Sequence, residues 1–142
     1  SDFEARQKCL MGAWLSMTGI VSGCRLGASH AIGHILGGTA GVPHGYTSCI
    51  MLPSVLEWNK VVNSKRQANL SQALGKPNLP ASEVLHNLID SLGMPRRLEA
   101  VGVKQEQFEQ LAENCMLDDW TFSNPRKISE PKQVLEILEL AR

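Results

Sequence analysis

The stretch GASHAIGHILGGTAGVPHGYTSC, residues 27–49, decides how this chain folds and what it can do. It gathers His30, His34 and His44, three of the four histidines, into fifteen positions among glycines, with no acid between them. His30 and His34 stand four apart, so on a helix they share one face about a turn apart. The spacing predicts a helix over Ala28 to Leu36, ended by Gly37-Gly38, because glycine takes the left-handed cap conformation without steric cost. The Gly-rich turn TAGVPH then allows the chain to fold back and bring His44 to that face. Imidazole is a good ligand for zinc, iron, nickel or copper, so the three rings are candidate metal ligands. A histidine on an apolar helix is more often a hydrogen-bonded core or edge residue than a ligand, and HxxxH by itself is a weak signal. A fourth donor is missing nearby: His86 belongs to a separate amphipathic segment, and no cysteine or carboxylate is woven into the cluster. The local set reads as part of a site.

Working outward, every segment has helical periodicity. Phe3, Cys9, Leu10, Trp14, Leu15 and Met17 recur at spacings of three and four and predict a first helix closed near Gly19 or Gly23. A long apolar segment from Gly45 to Val62 follows the histidine turn. Pro53 within it is expected to kink or restart the helix, since it lacks the amide hydrogen. A shorter helix over Ser64 to Leu74 stops at Gly75, and KPNLP is a linker. SEVLHNLIDSLGMP carries Val84, Leu85, Leu88, Ile89 and Leu92 on one face, Ser82 as the expected cap, and Gly93 with Pro95 as the stop. QEQFEQLAENCM places Phe108, Leu111, Ala112 and Cys115 together. The last helix starts at SEP, with Ser129 as expected cap and Pro131 in the first turn. No alternating strand and no internal repeat is present. The fold class is all-α, a bundle of six or seven helices in a single domain over residues 1–142.

Composition narrows the function classes. At 142 residues a single domain buries roughly two-thirds of its unfolded surface and needs no staples. Fourteen basic and fourteen acidic residues are scattered along the chain, which recommends neither nucleic acid nor an acidic solvating tail. Cys9, Cys24, Cys49 and Cys115 form no CxxC pair and read as reduced and buried, the pattern of a soluble, cytoplasmic protein. No apolar run approaches the roughly eighteen residues of a membrane span. The start at Ser1, running straight into helical pattern, suggests a fragment or a processed product. Trp14, Trp58 and Trp120 are expected mainly in packing, and Asn59 is expected to tie a helix end by hydrogen bonds.

The quoted stretch, extended to GASHAIGHILGGTAGVPHGYTSCIMLPSVLEWN, resembles the signature of the iron-containing alcohol dehydrogenase family. The shared elements are His30, His34, Leu36-Gly37-Gly38, Pro43-His44-Gly45 and Leu52-Pro53 through Asn59. The late SLGMP and NPRKI segments look like the maleylacetate reductase branch. The resemblance implies the helical C-terminal domain of the dehydroquinate-synthase-like and iron-containing alcohol dehydrogenases. It also implies an N-terminal α/β domain that binds NAD(H) or NADP(H) and is missing here. By the same resemblance, His30 and His44 would be ligands of a divalent metal, usually iron and sometimes zinc. His34 would be the catalytic and cofactor-contacting residue that assists proton transfer. An aspartate and a histidine, the family's other two ligands, have no counterpart. The substrate implied is a small alcohol, aldehyde or keto acid, held between domains. The alternatives are a standalone, non-catalytic helical module that binds a partner, and an autonomous zinc-stabilised domain. An apolar face left without its neighbouring domain would offer a surface for homo-oligomer formation.

Overall fold

A computed structural model describes residues 2–142, and among them there is no strand. Six α-helices follow in order: α1 Phe3–Val21, α2 Ala28–Ala40, α3 His44–Ala73, α4 Ala81–Ser91, α5 Phe108–Cys115 and α6 Pro131–Leu140. Single 3-10 turns at Leu98–Val101 and Gln105–Gln107 join α4 to α5. The all-α reading of the sequence therefore holds.

The core lies where α2, the first half of α3, α5 and α6 meet. Ile32 and Leu36 of α2 pack there with Ile50 and Met51 of α3, Leu111 of α5, and Ile137 and Leu138 of α6, all fully buried. Three helix ends differ from the sequence expectation. Helix α2 runs through Gly37-Gly38 to Ala40 and stops one residue later, at Gly41, whose φ of 68° is the left-handed cap. Helix α6 is capped by Glu130 rather than Ser129, and the Gln133 side chain accepts from the Glu130 backbone N–H at 3.1 Å to close a capping box. Ser82 likewise lies inside α4 and donates to Glu57 Oε2 at 3.0 Å instead of capping.

The long helix breaks in an unexpected place. Its dihedrals stay helical through Pro53, and the interruption falls at Asn63, at φ −136° and ψ 23°. The Gln67 side-chain amide, almost fully buried, accounts for the geometry: Nε2 donates to the Leu56 carbonyl at 2.7 Å and to Asn63 Oδ1 at 2.8 Å. It thus staples the two halves across the break. The expected separate helix over Ser64 to Leu74 is the second half of α3.

Helix α1 stands apart from this core. Asp2 caps it by accepting from the Ala5 N–H at 3.1 Å, yet none of its residues is buried. Its apolar positions, Phe3, Leu10, Met11, Trp14 and Leu15, are all more than half exposed. No helix of the described residues is long and apolar enough to cross a membrane. The cysteines also depart from expectation: Cys9 and Cys24 are exposed, Cys49 is half-buried, and only Cys115 is buried. Burial, then the nearby Asp118 charge, pushes the Cys115 thiol up to about 12.

Candidate functional site

The histidine cluster depends on how α2 is held against α3. Gly33 of α2 lies where a Cβ would come within 2.9 Å of Thr47 Oγ1, so the absence of a side chain lets the helices approach. Thr47, fully buried, donates in turn to the His44 carbonyl at 2.8 Å, fixing the first turn of α3 at that crossing. The start of α2 is anchored by Asn124, whose Oδ1 accepts from the Ala28 N–H at 3.3 Å. Asn59 and Asn124, both buried, exchange side-chain hydrogen bonds at 3.1 and 2.7 Å. Asn59 thus ties a helix end, through Asn124. These contacts set the two halves of the HxxxH…PHG stretch face to face.

The three rings converge as the spacing requires. Ring centroids of His30 and His34 are 4.9 Å apart, those of His30 and His44 are 5.3 Å apart, and those of His34 and His44 are 6.3 Å apart. Two imidazoles on one tetrahedral ion would hold their centroids roughly 5 Å apart, given metal–nitrogen bonds of about 2.1 Å. The His30–His34 pair, at 4.9 Å, and the His30–His44 pair, at 5.3 Å, both come near that spacing. Burial, then the neighbouring His34 and His44, lowers the His30 pKa from its ordinary value, against a smaller opposing pull from Asp118. A lowered pKa favours the neutral imidazole that a metal needs. No group of three or more ligating side chains among the described residues is arranged to hold an ion. The donor set fits half of a divalent metal's shell.

Asp118, absent from the sequence reading, and Trp120 complete the cluster. Asp118, which follows α5, places Oδ2 2.9 Å from His34 Nδ1. Its Oδ1 accepts from the Trp120 backbone N–H at 2.8 Å. The Trp120 ring lies 5.2 Å from that of His30 and 5.1 Å from that of His34, so this tryptophan walls the site rather than filling the core. A carboxylate does belong to the cluster, contrary to the sequence expectation, because the fold brings it from 84 residues away. The only sequence signal available was the acidic pair Asp118-Asp119 just ahead of Trp120. An open depression lined by His34, Leu117, Asp118, Asp119 and Trp120 leaves His34 accessible. His86, the fourth histidine, lines a different depression, between α3 and α4, with Ser54, Glu57, Lys60 and Arg96.

The other tryptophans divide. Trp58 is buried, donates from Nε1 to Glu136 Oε2 at 2.9 Å and carries the Arg126 guanidinium 3.8 Å over its ring. Trp14 is exposed on α1.

Comparison with known proteins identifies the family. The profile of the Fe-containing alcohol dehydrogenase family, C-terminal part, matches residues 1–142, and the chain belongs to that family. The 1,3-propanediol dehydrogenase of Citrobacter freundii is 31% identical over an alignment 150 positions long that covers 99% of this chain and 38% of that protein. Maleylacetate reductase 1 of Cupriavidus pinatubonensis is also 31% identical, over 90% of this chain and 35% of its own length. A Ralstonia eutropha protein of known structure superposes with a TM-score of 0.87 at 31% identity, covering 99% of this chain and 38% of the other. The chain therefore spans little more than a third of the length of these relatives.

Proposed function

We propose that this chain is the metal- and substrate-facing helical part of a NAD(P)-dependent oxidoreductase that interconverts an alcohol and a carbonyl. The observation that carries the reading is the convergence of His30, His34 and His44 at the α2–α3 crossing, on a chain whose relatives include dehydrogenases and a reductase. His30 and His44 would hold the divalent metal, iron or zinc, through neutral imidazoles, with the remaining ligands supplied from outside these residues. When bound, the metal supplies Lewis acidity toward the substrate oxygen, and NAD(H) or NADP(H) supplies or accepts the hydride. His34, exposed beside that pair, contacts cofactor and substrate and relays the proton between substrate oxygen and solvent. Trp120 excludes water from one side of the cluster.

The reading extends to partners. The substrate is a small alcohol, aldehyde or keto acid, and the missing part is an N-terminal nucleotide-binding domain of the same enzyme. The exposed apolar side of α1 is a surface for that part or for a second copy. The setting is the cytoplasm, which the four free thiols suit. A standalone, non-catalytic helical module would use the same α1 surface for its partner; a βαβ domain encoded in frame upstream of residue 1 sinks that alternative. In the full-length enzyme, His30→Ala and His44→Ala should each lose bound metal and turnover together. Retention of both in the two variants overturns the proposal.

A further inference from the structure

We propose that Asp118 is a positioning residue for His34: it holds the imidazole as the Nδ1–H tautomer and leaves Nε2 as the working ring atom. The proposal rests on the oxidoreductase reading only for what Nε2 then does; the tautomer itself follows from the contacts.

The two oxygens of Asp118 have separate tasks. Oδ1 is occupied by the Trp120 backbone N–H at 2.8 Å, so the carboxylate plane is set by main chain. Oδ2 then stands 2.9 Å from His34 Nδ1. A carboxylate only accepts, so the proton between them belongs to Nδ1. The neutral ring carries one proton, and Nε2 is left with a lone pair and no protein partner among the described residues. Geometry also keeps the ring from swinging: Trp120 stands 5.1 Å from it at 37°, and His30 4.9 Å on another side at 75°. The arrangement follows the logic by which an aspartate fixes the tautomer of a histidine in hydrolytic triads. The Asp118 side chain is 18% exposed and that of His34 40%, so the orienting carboxylate is the more sheltered partner and the ring is open to a ligand. In a proton relay, the bare Nε2 accepts a proton from an alcohol; in the opposite direction Nε2 first takes a proton from solvent and then gives it to the alkoxide, while Nδ1–H stays on Asp118 throughout.

The test is a long-range proton–nitrogen correlation spectrum of the nitrogen-15-labelled 142-residue chain, recorded at a pH where the ring is neutral. The wild-type spectrum, which needs no variant, should show His34 protonated at Nδ1 and bare at Nε2. Asp118→Ala should shift His34 toward the Nε2–H form preferred by a free side chain, whereas Asp119→Ala, one residue away, should leave the pattern unchanged. A wild-type ring protonated at Nε2, or a pattern that Asp118→Ala does not move, overturns the proposal. In the full-length enzyme, Asp118→Ala should lower kcat by about 100-fold with KM and metal content nearly unchanged. An unchanged kcat also overturns it. A full-length protein with no alcohol or carbonyl turnover would defeat the functional reading, and the spectrum would still decide the tautomer.

Discussion

Gly33 shows how one missing side chain shapes the site. Thr47 Oγ1 occupies the space a Cβ would need and is itself committed to the His44 carbonyl. It cannot rotate away without giving up that bond. Gly33→Ala gains about 1 kcal/mol in helix propensity and loses more by forcing α2 off α3. The expected net loss is about 1 kcal/mol in urea unfolding, with weakened metal retention at His30 and His44 as the helices separate. An alanine variant as stable as the parent would mean that the crossing has slack. At this scale the sequence showed the three histidines and their glycine setting, because the signal is local. It did not show Asp118, whose partnership with His34 exists only once α5 has packed on α2.

At the scale of elements, the asparagine pair does work that no single helix could do. Asn124, in the segment after α5, joins the first amide of α2 to Asn59 of α3, and its Nδ2 also donates to the Arg126 carbonyl at 2.7 Å. Asn124→Ala leaves the Ala28 N–H and the Asn59 amide buried without partners. The expected cost is about 2–4 kcal/mol by urea unfolding; a loss below about 1 kcal/mol would show that water replaces the bonds. Helix identities were legible from period and punctuation, as Gly75 and Gly93 at left-handed helix ends illustrate. The α3 break was not, because its cause is a tertiary staple. Pro53 removes one donor and stays helical, while Gln67 reaches back to Leu56 and bends the helix ten residues later. The cap of α6 lies one residue later than expected, at Glu130, and Gln133 Oε1 accepts from both the Ser129 N–H at 2.7 Å and the Glu130 N–H at 3.1 Å.

For the whole molecule, the division between a packed body and an unpacked α1 is the main fact. The body buries Ile32, Leu36, Ile50, Leu111 and Ile137 completely, whereas α1 presents Phe3 at 80% and Trp14 at 68% exposure. Periodicity alone predicted a helix there and could not say what its apolar positions would meet. The same division applies to chemistry: three imidazoles come together, yet no group of three ligating side chains among the described residues is arranged to hold an ion. The body is held by apolar burial and the asparagine pair, and on this account its folding should not need an ion. The measurement that tests this account most directly is the metal content of the purified 142-residue chain by plasma mass spectrometry, with a chelator titration followed by circular dichroism. The account predicts far less than one metal per chain and a helical signal indifferent to chelator. Near-stoichiometric metal, with helix lost on chelation, would contradict it and make the cluster a complete structural centre.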